Sequence, residues 1–233
     1  MIVAVASGKG GTGKTTVSAN LARVSGATLL DCDVEEPNAH LFLKGEPLGA
    51  PAEVSVPVPE VDEAVCDGCG ACSRFCAFKA LAVLGRRVLV FPELCHGCGG
   101  CLRVCPKGAI REVPRRIGVV EAHQAGGVTL IQGRLDVGVA MAPPLIRAVK
   151  APLPKAGDAI LDAPPGTSCP VVGVCGAGDR ADAVRTARPQ TRCRGRAGTA
   201  SSLRRGDQPR GLRGWPHAGF LPRGVDPGAG GAS

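Results

Sequence analysis

No apolar run in this 233-residue sequence approaches the ~18 residues that a membrane-spanning helix requires. The first apolar run passes straight into a glycine-rich loop, so the pattern of a secretory leader is missing as well. These absences predict a soluble, cytoplasmic protein with no membrane span. The last 61 residues lack Lys, Glu, Ile, Met, Asn and Tyr and hold 11 Arg and 4 Asp. Residues 1–172 carry 17 Lys+Arg against 16 Asp+Glu. The formal charge of +8 therefore belongs almost entirely to the tail, and it makes no convincing case for nucleic acid as a partner.

After Val172 the composition turns to Arg, Gly, Ala and Pro, and no run keeps a helix or strand period for long. Three readings fit residues 173–233: a disordered extension, a basic arm for nucleic acid, or a wrong-frame translation of GC-rich DNA. The change is abrupt and falls two residues after Ser168-Cys169-Pro170. That position favours a frameshifted or truncated chain and predicts a poorly packed tail.

What is present begins with Gly8-Lys9-Gly10-Gly11-Thr12-Gly13-Lys14-Thr15-Thr16. Gly8 to Thr15 fits the phosphate-binding pattern G-x-x-x-x-G-K-[ST]. Ile2 to Ala6 reads as a buried strand before it, and Val17, Leu21 and Val24 mark a helix after it. Glycines let successive N–H groups turn toward phosphate oxygens, and the helix N-terminus adds partial positive charge. Lys14 then serves the β- and γ-phosphates and Thr15 the Mg²⁺ of Mg-ATP. Ala27 to Asp33 reads as a second strand with acids at its carboxyl end, where open α/β sheets bind ligands. Asp33 is expected near the γ-phosphate, and Asp31 is as readily structural. Ala159 to Asp162 is another strand ending in an acid, the Walker B arrangement, with Asp162 holding Mg²⁺. Gly166 follows in the loop that senses the γ-phosphate.

Eight of the 12 cysteines lie between Cys66 and Cys105; the others are Cys32, Cys169, Cys175 and Cys193. Cys66, Cys69, Cys72 and Cys76 are followed by Cys95, Cys98, Cys101 and Cys105, the same spacing 29 residues on. This is the bacterial ferredoxin run, in which the last cysteine of each half ligates the other cluster. One [4Fe–4S] cluster is therefore assigned to Cys66, Cys69, Cys72 and Cys105, the other to Cys95, Cys98, Cys101 and Cys76. Zinc also uses C-x2-C pairs, but it needs four ligands and leaves the third step of each half unused. Ala77 stands where a proline is expected. His96 reads as an exposed loop residue, and Cys169 as a small buried one.

Pro47 to Pro59, with four prolines, reads as an extended connector into this second domain. Leu81 to Leu84 and Val88 to Phe91 read as a hairpin between the cluster loops, residues 113–132 as a hairpin returning to the main sheet, and Leu145 to Val149 as a short helix. Pro152 to Gly157 reads as a turn. The expected domains are 1–59, an insert over 60–112, the first domain again over 113–172, and the tail over 173–233.

Lys9, directly after the first glycine, is not part of an ordinary P-loop. GKGGTGKT resembles the deviant P-loop of the MinD superfamily, which includes MinD, ParA, Mrp and the nitrogenase iron protein. DCDVEEPN resembles that family's switch I, and LDAPPGTSCPVV the switch II of members with an inserted ferredoxin domain. The resemblance spans Met1 to Val172. It implies an α/β fold, a P-loop NTPase parallel sheet (incomplete here) with an inserted α+β bacterial-type ferredoxin domain. It implies a homodimer on ATP binding, with Lys9 reaching the other subunit's nucleotide and Asp33 near the attacking water. The function expected is an ATPase coupling nucleotide state to electron transfer or iron–sulfur handling, with an unidentified redox or client partner. The alternative is a ferredoxin-like electron carrier with a vestigial ATPase half.

Overall fold

The computed structural model describes residues 1–153, 157–167, 169–175 and 181–185, the last five and Cys175 by their backbone alone. The chain opens with β1 (Ile2–Ala6), α1 (Lys14–Ser25), β2 (Thr28–Asp31) and α2 (Ala39–Phe42). A short β3 (Glu46–Pro47) and a long β4 (Ala52–Val61) lead outward. The cysteine segment holds α3 (Ala71–Phe75), β5 (Leu81–Leu84), β6 (Arg87–Val90) and α4 (Gly100–Val104). The chain returns through β7 (Ile110–Ala125) and β8 (Val128–Leu135), then α5 (Ala142–Lys150), β9 (Ala159–Asp162), α6 (Cys169–Cys175) and β10 (Ala181–Arg185).

The main sheet runs β10-β1-β9-β2-β8-β7-β3, with β4 also pairing β7. From β10 to β8 neighbouring strands are parallel, while β7 is antiparallel to β8, β3 and β4. The result is a mostly parallel mixed α/β sheet. One face packs Val5, Leu29, Leu130 and Ile160 against Ala19 and Ala22 of α1 and Ala39 and Leu43 around α2. The opposite face carries α5. A Cβ on Gly133 would point there, 2.6 Å from Val149 and 2.7 Å from Val34, because neighbouring strand residues alternate faces.

The helix read from Val17, Leu21 and Val24 forms, and two other sequence readings change here. Those apolar positions are exposed. The buried residues of α1 are Lys14 at its start and Ser18, Ala19 and Ala22, the last three small enough to let the helix sit close to the sheet. The connector over 47–59 is largely strand: β4 pairs β7 over ten positions, Ala52↔Val120 to Val61↔Ile110. Its prolines are tolerated because β4 pairs on one side alone and Pro57 faces Pro114, so no ladder donor is lost in mid-sheet. Within the tail, β10 lies parallel to β1 from Ile2↔Ala181 to Ala6↔Arg185. Five residues are too few to show a period, and the pairing comes from backbone groups.

The helix expected over 145–149 is α5, and both hairpins form, β5–β6 and β7–β8. Residues 154–156 of the expected turn lie outside the described residues. So do 176–180 and 186–233, with Cys193 and the reading of the tail as frameshifted or disordered. Among the described residues no helix is long and apolar enough to cross a membrane.

Candidate functional site

The P-loop joins the carboxyl end of β1 to α1. Gly11 and Gly13 adopt φ of +70° and +80°, a left-handed backbone that disfavours any side chain. Thr12 donates its hydroxyl to Ser7 Oγ at 2.8 Å, and Ser7 donates to the Lys9 carbonyl at 2.7 Å. The loop is thus tied to itself. No side chain caps the N-terminus of α1, and its first turn has no acid. The free N–H groups of a 12-residue helix therefore face the loop, the arrangement that receives phosphate.

Asp31 and Asp162 sit at register-paired positions of β2 and β9. Asp162 is 1% exposed. Ser18 donates to its Oδ1 at 3.0 Å, and Thr15 also hydrogen-bonds it. Its Oδ2 is buried without a partner. An orphaned carboxylate oxygen beside the Thr15 hydroxyl fits a hydrated Mg²⁺. Burial raises the Asp162 carboxyl, while the Thr15 and Ser18 hydroxyls and the Lys14 charge oppose it. Lys14 is itself buried, so this cation faces Asp33 and Asp162 together.

Asp33 is half-buried and pushed up to about 6, by desolvation first and the Asp162 charge second. Asp31 plays a different part. It is fully buried and accepts N–H bonds from Asp33 at 3.0 Å, Asn38 at 3.1 Å and Ala39 at 3.0 Å. Those bonds hold the loop that carries Asp33. Burial nonetheless pushes Asp31 up to about 7. On the far side of the site, Ala163 donates to the Val5 carbonyl at 3.0 Å and Gly166 to the Ser7 carbonyl at 3.1 Å. Gly166, with φ of +100°, is thereby docked on the P-loop. A cavity of about 180 Å³ separates the loops, lined by Asp33, Glu35, Glu36, Ile146 and Pro165 among others. Lys9 is exposed. Cys169 is exposed too, which corrects its reading as a buried residue; it stands in the first turn of α6, a surface position.

The eight ferredoxin-spaced cysteines form two groups. One cavity is lined by Cys66, Cys69, Cys72 and Cys105, with Val61, Val88 and Ile110. A second is lined by Cys76, Cys95, Cys98 and Cys101, with Pro57 and Pro59. Each group takes three cysteines from one half of the repeat and one from the other. Gly68, Gly70, Gly97 and Gly99 all have φ between +64° and +74°, which turns the loops inward. Backbone N–H groups donate to sulfur from Ala80 to Cys76, Gly97 to Cys95 and Ala109 to Cys105, at 3.4, 3.4 and 3.3 Å. Among the described residues no three His, Cys, Asp or Glu side chains converge as a single ion would require. Desolvation raises the thiols of Cys72 and Cys95, and pushes Cys101 up to about 11, so a metal must displace protons to bind. His96 is exposed, and its ring stacks on Phe78 at 3.7 Å.

The cysteine segment hangs on the two long strands. Val61 and Ile110, the last pair of β4 and β7, touch the first cysteine group, and Asp62 donates to the Ala109 carbonyl at 2.8 Å. The same β7 pairs β8, which pairs β2. Neither Ser18 nor the loop-holding role of Asp31 was readable from the sequence, since neither a helix-borne serine nor a loop-capping aspartate belongs to a motif.

The family described as CbiA, the CobQ/CobB/MinD/ParA nucleotide binding domain, matches residues 3–206. The chain is 35% identical over 178 residues to the uncharacterized protein MJ0578 of Methanocaldococcus jannaschii, covering 74% of this chain and 62% of that protein. It is 48% identical over 67 residues to the uncharacterized protein MJ0579 of the same organism, covering 27% of this chain and 25% of that one. The chain thus spans less than two thirds of either relative.

Proposed function

The chain belongs to the CobQ/CobB/MinD/ParA nucleotide-binding domain family, and from that premise we propose that it is an ATP-hydrolysing iron–sulfur protein. It couples nucleotide state to electron transfer or to the handling of iron–sulfur clusters. The observation that carries the iron–sulfur half is the sorting of eight cysteines into two interleaved groups of four. That sorting matches the ferredoxin ligand pattern, in which the last cysteine of each half serves the other cluster, whereas zinc leaves the third step of each half unused. Cys66, Cys69, Cys72 and Cys105 would hold one [4Fe–4S] cluster, and Cys76, Cys95, Cys98 and Cys101 the other. Such clusters carry single electrons. In this reading residues 60–112 are an inserted ferredoxin domain within a nucleotide domain made of 1–59 and 113–172.

In the ATPase half the α1 N-terminus and residues 8–16 receive the phosphates, and Lys14 neutralises charge that develops on them. Thr15 and Asp162 hold Mg²⁺. Asp33, on the loop that Asp31 fixes, orients the attacking water. Lys9 reaches the nucleotide of a second copy, so that ATP closes a homodimer. The redox partner or client engages the insert, in a cytoplasmic setting that keeps the thiols reduced. The test is ATP turnover and nucleotide-dependent dimerisation of the wild type and Lys9→Ala. The substitution should suppress both. If both persist, the dimer mechanism is wrong, and a carrier with a vestigial ATPase half becomes the better account.

A further inference from the structure

The two cysteine groups are related by the sequence repeat, but charge breaks the symmetry between them. Gly70 and Gly99 occupy equivalent places, each between the second and third cysteine of its half. A Cβ on Gly70 would stand 3.0 Å from Arg74 Nη1, whereas one on Gly99 would stand 3.1 Å from Glu112 Oε1. A guanidinium lies over one loop and a carboxylate over the other. Arg74 is held there by donating to the Cys69 carbonyl at 3.0 Å. The first cavity itself is lined by Lys107 and Asp67, which offset each other. In the second cavity Glu112 is the one Asp, Glu, Lys or Arg among the lining residues. Its charge acts on Cys95, and among the described residues no cation pairs with it.

Reduction adds negative charge to a cluster, so a nearby cation favours the reduced state and an anion opposes it. Burial acts in the same direction. Cys95 and Cys101 are both buried in the second group, but only Cys72 in the first, and a drier site resists added charge. Backbone donors act weakly against this. Cys76, Cys95 and Cys101 receive N–H bonds in the second group, Cys72 and Cys105 in the first. One extra N–H bond to sulfur is a smaller effect than a charge of opposite sign at each loop.

We infer that the cluster held by Cys76, Cys95, Cys98 and Cys101 has the lower potential, with Glu112 and Arg74 setting the difference. This rests on the iron–sulfur reading above. With one electron on the pair, the cluster on the Arg74 side holds it.

The full chain, reconstituted with iron and sulfide and titrated with dithionite under EPR, tests this. Two waves are expected. Glu112→Gln should move the lower wave to more positive potential and leave the upper one in place. Arg74→Gln should move the upper wave to more negative potential. Both side chains are exposed, so packing is spared, and Glu112→Lys should enlarge the first shift. Two loaded clusters whose waves ignore these substitutions, or a single wave moved by both, would overturn the inference and leave the iron–sulfur reading standing. No [4Fe–4S] signal at all would overturn both.

Discussion

Ser18 donates its hydroxyl to Asp162 Oδ1 at 3.0 Å while Asp162 Oδ2 stays buried and unpartnered. The serine lies one turn beyond Thr15 on α1 and thereby fixes which carboxylate oxygen is left open to the proposed Mg²⁺. Ser18→Ala should destabilise the fold by about 1 kcal/mol and raise the Mg²⁺ concentration needed for nucleotide binding. Ser18→Thr should restore both. Magnesium titrations of nucleotide affinity check this, and an unchanged Mg²⁺ dependence in Ser18→Ala would refute it.

Asp31 and Asp33 give the nucleotide-free protein a distinctive pH response. Their folded pKa values of about 7 and about 6 lie above the ordinary 3.8. Between pH ~4 and ~7 the folded state therefore holds more protons than the unfolded one, and stability falls as pH rises. The Tm without nucleotide should drop from pH 5 to 7.5. Mg²⁺ with nucleotide favours the ionised carboxylates and should flatten that slope. Thermal melts across the range measure it; a Tm that climbs over this interval contradicts the assignment.

Gly133 lies where β8 meets α5. A methyl there would press on Val149, Val34 and Leu145. Gly133→Ala should cost about 1–3 kcal/mol through overpacking, read as a lower midpoint in urea. A neutral result would mean that α5 sits further from the sheet.

Cys76 comes from the first half of the repeat but lines the cavity of the second. Cys76→Ser should therefore damage the same cluster as Cys95→Ser, leaving about four irons per chain in place of about eight. EPR of the two variants should show the same surviving signal. Different surviving signals would mean that each half loads its own cluster.

Much of this was legible in the residues. Strand, glycine loop and helix were readable because the P-loop motif fixes backbone and side chains together. The two cysteine groups were readable because ferredoxin spacing fixes which thiols share a site. The outward face of Val17, Leu21 and Val24 was not, since helical spacing gives a stripe and not the side that a sheet will cover. The prolines of the connector hid β4, whose pairing depends on β7, a partner 49 to 68 residues further along the chain. Asp31 read as readily structural and Asp33 as the residue near phosphate; what the residues could not show is that β2 ends at Asp31 and that its buried carboxylate holds the loop of the half-buried Asp33.

The most direct measurement is an EPR-monitored redox titration of the reconstituted chain with and without Mg-ATP, beside Lys14→Ala. Lys14 is the buried cation of the P-loop, on a different segment of the chain from the thiols. The account predicts two [4Fe–4S] clusters whose potentials shift when Mg-ATP binds the wild type and stay fixed in Lys14→Ala. Clusters that load fully but ignore Mg-ATP would contradict coupling between the two sites.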